Sequence, residues 1–187
     1  MSRQLDGTGM KRLHRSWRQR SGGRLALILD GLGTPANVGG IIRSAAAYRI
    51  EQVWLAGPTP GPDHGGVART ALGTDRYIEF VSTSTTVEAI AAAQANGYLV
   101  VGIELTDDAV ALHTLDLPSD VCLVVGHEDH GIGKLAIAAC DRVAYLPQLG
   151  KVGSLNVATA TAIAIYEVRR RSWAGDELPL GPDDDDV

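Results

Sequence analysis

Three apolar runs constrain this chain most: RLALILD at 24–30, YLVVGIEL at 98–105 and VCLVVG at 121–126. A strand with one wet face alternates apolar and polar residues, whereas a strand apolar throughout is covered on both faces, as in a parallel sheet. Helical spacing intervenes. NVGGIIRSAAAY at 37–48 sets Val38, Ile41, Ile42 and Ala45 on one stripe, and TTVEAIAAAQANG at 85–97 stops at Asn96-Gly97. Further strands are expected at 52–57, 77–81 and 142–147, with a short helix at 134–139 and a long one from about Ser154 to Arg170. This alternation predicts an α/β fold with a mostly parallel sheet, helices on both faces, and ligand sites at the carboxyl ends of the strands.

The 187 residues fit one domain able to bury a real core. A composition 45% hydrophobic and 21% charged is that of a soluble globular protein. No apolar run is long enough to cross a bilayer, and no apolar segment follows the arginine-rich start as in a signal peptide, so a cytoplasmic protein without a membrane partner is expected. Cys122 and Cys140 stand in short apolar runs without metal-like spacing, which predicts buried free thiols.

The formal net charge of −5 hides an asymmetry. Residues 1–24 hold seven Lys and Arg against Asp6 alone, and residues 175–187 hold six carboxylates and no base. Three segments follow: a basic arm at 1–23, a domain at 24–172 and an acidic tail at 173–187. HRSWRQR places Trp17 among arginines, which suits phosphate contacts with stacking on a base. A solvated arm accounts for it equally.

Three strand ends carry glycines and polar residues. In the first, Asn37 is placed to cap the following helix, and Arg43 stands six residues on, near two helical turns. The second, GHEDHG at 126–131, has its histidines three apart in a loop, so it is no HExxH metal site, and Ile132 stands where a P-loop needs lysine. A tight polar turn remains, whose backbone could hold a small ligand. In the third, YLPQLGKVGSLNVA at 145–158, Gly150 and Gly153 leave room for close approach, while Ser154 and Asn156 open a helix. Capping alone accounts for Ser154 as well as function does.

Asn-x-Gly-x-x-x-Arg at 37–43, Gly-x-Glu-x-x-Gly at 126–131 and Pro-x-x-Gly-x-x-x-Ser-Leu-Asn-Val at 147–157 resemble, in that order, the three motifs of the SpoU (TrmH-type) branch of the SPOUT RNA methyltransferases. The similarity spans about residues 24–170. It implies a C-terminal deep trefoil knot (the SPOUT fold), a homodimer, S-adenosylmethionine as cofactor, no metal, and methyl transfer to a ribose 2′-hydroxyl of RNA. By the same resemblance Arg43 is the catalytic arginine, supported by Asn37, Glu128, Ser154 and Asn156. The cofactor would meet Glu104, Leu105, Thr106, Gly126, His127, Leu146, Gly150, Ser154 and Leu155. RNA would meet Arg43 and the arm residues Arg12, Arg15, Arg18 and Arg20. Arg43 is open to two roles, a base if desolvated or a clamp on an RNA phosphate. The short arm resembles members acting on tRNA more than two-domain members acting on rRNA. The competing readings are an rRNA enzyme, a non-catalytic RNA-binding protein on the same fold, and a different nucleotide-binding enzyme, the last disfavoured by the absence of a complete phosphate-binding glycine motif.

Overall fold

The structure, a computed structural model, describes residues 4–173. The tail expected at 173–187 therefore lies outside the described residues beyond Trp173. Seven strands form one sheet: β1 (Leu25–Asp30), β2 (Gln52–Ala56), β3 (Glu79–Thr83), β4 (Leu99–Ile103), β5 (Val110–Ala111), β6 (Val121–Val125) and β7 (Arg142–Tyr145). Their order is β3-β2-β1-β6-β4-β7-β5, and every pairing is parallel. The expected α/β architecture is present.

Strand alternation divides the core in two. Leu25, Leu27 and Leu29 of β1, with Val121, Leu123 and Val125 of β6, pack beneath α2 (Pro35–Ala47), α3 (Gly65–Ala71) and α6 (Val157–Trp173). Ala26, Ile28, Cys122 and Val124 pack beneath α4 (Thr86–Ala95) and α5 (Lys134–Ala139). With both faces covered, the unbroken apolar runs are explained. Cys122 is buried and Cys140 half-buried, and both are free. Burial pushes both thiols up, Cys140 to about 12.

Several local expectations are corrected. The helix after β1 starts at Pro35, whose fixed φ suits a first turn, so Thr34 takes the cap position and Asn37 lies inside the helix. The glycine-rich stretch after β2 is tied to the ends of β1 and β2. The buried Thr59 hydroxyl shares its one proton between the carbonyls of Ala56 (2.8 Å) and Leu29 (3.0 Å) and accepts from Leu32 N–H (3.1 Å), and α3 begins at Gly65 under a His64 cap. The last helix begins at Val157, not Ser154. The arm carries a helix, α1 (Gly7–Arg20), capped by Asp6 and without buried residues. Among the described residues no helix is long and apolar enough to cross a membrane.

Candidate active site

The chain leaves β3 at one edge and re-enters the sheet at β4, on the far side of β1 and β6. Such a reversal opens a crevice at the carboxyl ends of the neighbouring strands. The loops after β1, β6, β4 and β7, four consecutive strands of the sheet, carry the three polar clusters and the 104–106 strand end.

One hydrogen-bonded chain joins the three clusters. The Glu128 carboxylate accepts from Asn37 Nδ2 at 2.7 Å and from the N–H groups of Gly33 and Thr34, each at 3.1 Å. Asn37 Oδ1 accepts from Asn156 Nδ2 at 2.9 Å. Asn156 Oδ1 accepts from Ala158 N–H (3.0 Å) and Thr159 N–H (3.2 Å), capping α6. Asn156 is therefore the cap, while Ser154 is exposed in the loop before it. Both ends of each amide are engaged, which fixes which end is oxygen.

Partial burial opposes the charge on Glu128. The donors from Asn37, its own backbone, Gly33 and Thr34 outweigh that and hold its carboxyl down from 4.5 to about 2. A depressed folded value gives stability that is present above 4.5 and lost as pH falls through about 2. Glu128→Gln is thus expected to flatten the decline of the thermal midpoint across that window. A decline as steep as in the unsubstituted protein would contradict the assignment.

The 127–131 turn is closed upon itself. His127 N–H donates to Gly131 O at 3.0 Å and Gly131 N–H returns the bond at 2.9 Å. Asp129 N–H donates to His127 Nδ1, Ile132 N–H to Glu104 Oε2 at 2.9 Å, and Gly133 N–H to Asp30 Oδ2 at 3.0 Å. With the N–H groups of His127, Asp129, Gly131, Ile132 and Gly133 engaged inside the protein, the turn offers the crevice the Glu128 side chain. Its backbone runs against Gly126, where a Cβ would lie 2.1 Å from Gly131 C.

Asp30 has no counterpart among the predicted residues. It closes β1, takes a short hydrogen bond from the Thr86 hydroxyl and holds Gly133, tying β1, α4 and the turn together. A carboxylate ending an otherwise apolar strand was the available signal. Glu104, expected against cofactor, also braces the turn, through Ile132.

Residues 146–156 differ in character. Among the described residues the backbone of 147–155 makes no hydrogen bond, and a Cβ at Gly150 or Gly153 would meet nothing within 4 Å. Leu149 is fully exposed and Leu105 72% exposed, while Leu146 and Leu155 are half-buried. Thr106 bonds to Asp108 at 2.7 Å. This leaves unengaged backbone groups beside aliphatic side chains, a lining able to hold a flat heterocycle and its polar edge.

Arg43 is exposed on α2 without a hydrogen bond or ion pair among the described residues. At about 100° per residue, Arg43 and Asn37 stand some 60° to either side of Gly40. A Cβ at Gly40 would touch the Ala158 methyl at 3.5 Å, so both residues flank the contact with the first turn of α6. Arg12, Arg15 and Arg18 are exposed on α1 and Arg20 is half-exposed. None of these four joins the network just described.

A model of the SpoU rRNA Methylase family matches residues 24–166. The tRNA (guanosine(18)-2'-O)-methyltransferase of Escherichia coli (strain K12) is 30% identical over 150 residues, covering 79% of this chain and 63% of that protein. The 23S rRNA (guanosine-2'-O-)-methyltransferase RlmB of Coxiella burnetii is 33% identical over 155 residues, covering 80% and 60%. The AdoMet-bound rRNA methyltransferase from Sinorhizobium meliloti superposes with a TM-score of 0.75 at 30% identity, covering 83% of this chain and 60% of that one. The chain spans about three fifths of the length of these curated relatives.

Proposed function

Because the chain belongs to the SpoU rRNA Methylase family, we propose that it is an enzyme that transfers a methyl group from S-adenosylmethionine to a ribose 2′-hydroxyl of RNA. The observation that carries this reading is the joining of Glu128, Asn37 and Asn156, from three motifs far apart in sequence, into one bonded chain at the switch point of the sheet.

S-adenosylmethionine, when bound, supplies an electrophilic methyl group. Leu105, Leu146 and Leu155 would line its adenine, and the unengaged backbone around Gly150 would meet its polar edge, beside Gly126, His127 and Thr106. Ser154, exposed and without a hydrogen bond among the described residues, would face substrate or cofactor. Glu128, ionised at neutral pH, holds Asn37, and Asn37 in turn orients Asn156 and the start of α6. Arg43 clamps the phosphate next to the reacting ribose, and its exposed, solvated position favours this over a role as base. As the ribose oxygen took the methyl, the methyl–sulfur bond would break, S-adenosylhomocysteine would leave, and the hydroxyl proton would pass to solvent.

We further propose that 146–156 and α6 complete a trefoil knot. Support comes from β7, the last strand among the described residues, which lies between β4 and β5 instead of at an edge. The enzyme would act as a homodimer in the cytoplasm, pairing through the exposed Leu149, Val152 and Ile163. The basic helix α1 favours tRNA as substrate, with rRNA the alternative. Methyl label recovered from RNA as a 2′-O-methylnucleoside is the expected result, and label found only on bases would refute the reading.

A further inference from the structure

At the amino ends of the strands, away from the site, α1, α6 and the α2–β2 connection enclose a cleft of about 1020 Å³. Five of the nine aromatic side chains of the protein line it: Trp17, Tyr48, Tyr77, Tyr166 and Trp173. Trp17 and Trp173 meet edge to face at 5.5 Å, and Tyr48 and Tyr166 at 6.1 Å. Arg18, Arg49 and Arg169 line it too, with Glu51 the one carboxylate among the described residues that do so, in a protein of formal net charge −5.

Two of these arginines are unusual. Arg169 is 6% exposed and makes no ion pair among the described residues. Its guanidinium donates to the carbonyls of Tyr48 (2.9 Å), Arg49 (2.7 Å) and Gly23 (3.0 Å). By those bonds it holds the backbone of Arg49 at φ 54, a left-handed conformation that disfavours any side chain but is fixed here by its surroundings. Arg49 is exposed, and among the described residues its own guanidinium reaches only Arg18 O, at 3.5 Å.

We propose that this cleft is a second RNA-binding site, which takes an unpaired stretch of the substrate strand with bases against the aromatic faces and phosphates on Arg18 and Arg49. Ring faces accept any base and guanidinium groups accept phosphates, the combination used for single strands. Tyr48 stands eleven residues from Asn37 along α2, about 16 Å. That distance is about five stacked nucleotides at ~3.4 Å each. One strand can thus lie in the cleft while the ribose to be methylated reaches the site, with Arg43 between them. The inference rests on the proposed action on RNA.

The test is quenching of tryptophan fluorescence by a ten-nucleotide oligouridylate, with inorganic tripolyphosphate as a base-free polyanion, alongside methyl transfer to bulk tRNA and sedimentation. The oligonucleotide should quench and tripolyphosphate should not. Arg49→Gly, which removes the guanidinium and relieves the left-handed residue, should weaken oligonucleotide binding about tenfold and raise KM for tRNA. Its thermal midpoint should not fall by more than about 2 °C. Equal binding by Arg49→Gly, absence of quenching, or a variant whose main change is in its association state would overturn the proposal, the last by giving the cleft to a second copy. Quenching without methyl transfer would uphold the cleft and refute the enzyme reading. Transfer without quenching would do the reverse.

Discussion

Arg43→Ala is expected to lower methyl transfer at least about 100-fold while leaving S-adenosylmethionine binding and the fold nearly unchanged. The effect is electrostatic. A guanidinium that braces nothing within the protein is free to neutralise an RNA phosphate, and a bidentate clamp fixes the ribose for in-line transfer as well as attracting it. Since Arg43 is exposed and has no partner among the described residues, its removal should change stability by no more than about 0.5 kcal/mol. Arg43→Lys keeps the charge and loses the planar fork, so only part of the activity should return. Calorimetric cofactor binding, with initial rates on saturating RNA, separates these effects. Full activity in the alanine variant would remove Arg43 from the mechanism.

Gly126→Ala is expected to destabilise the domain severely. The added carbon would lie 2.1 Å from Gly131 C, 2.3 Å from Ile132 N and 2.4 Å from Gly131 O, all backbone atoms. They cannot retreat cheaply, because His127 and Gly131 bond reciprocally and Glu104 and Asp30 hold the next two N–H groups. Relief means opening the turn, exposing two carboxylates to poorer partners and displacing Glu128 from Asn37. A loss of about 3 kcal/mol follows from overpacking together with broken buried bonds. It corresponds to a fall of about 6–12 °C in the thermal midpoint for a domain of this size. Gly150→Ala is the contrasting control, since its Cβ would meet nothing within 4 Å and the midpoint should not move. Equal midpoints for the two variants would contradict the packing argument.

The layers were legible because both-sided burial leaves a signature that needs no partner to be known: Leu25 to Leu29 and Val121 to Val125 are apolar at every step. Elements without such a signature were missed. α3 begins on two glycines and runs for seven residues, and β5 has two. At the site, sequence order found Asn37, Glu128 and Asn156, but their contacts span 91 and 119 residues, which no local pattern encodes. Capping chemistry is local yet degenerate. Ser154 and Asn156 are both good caps two residues apart, and only the path of the loop decides that Asn156 reaches the N–H groups of Ala158 and Thr159. Asn37 was misjudged for the reverse reason: Pro35 starts the helix early, which frees the Asn37 amide to bridge two loops.

The most direct measurement is transfer of labelled methyl from S-adenosylmethionine to bulk tRNA and, separately, to rRNA, with nuclease digestion and nucleoside analysis. The account predicts label in a 2′-O-methylnucleoside from the tRNA pool, lost in Arg43→Ala. Cofactor binding with label in neither pool, or label on a base in place of a ribose, would contradict it.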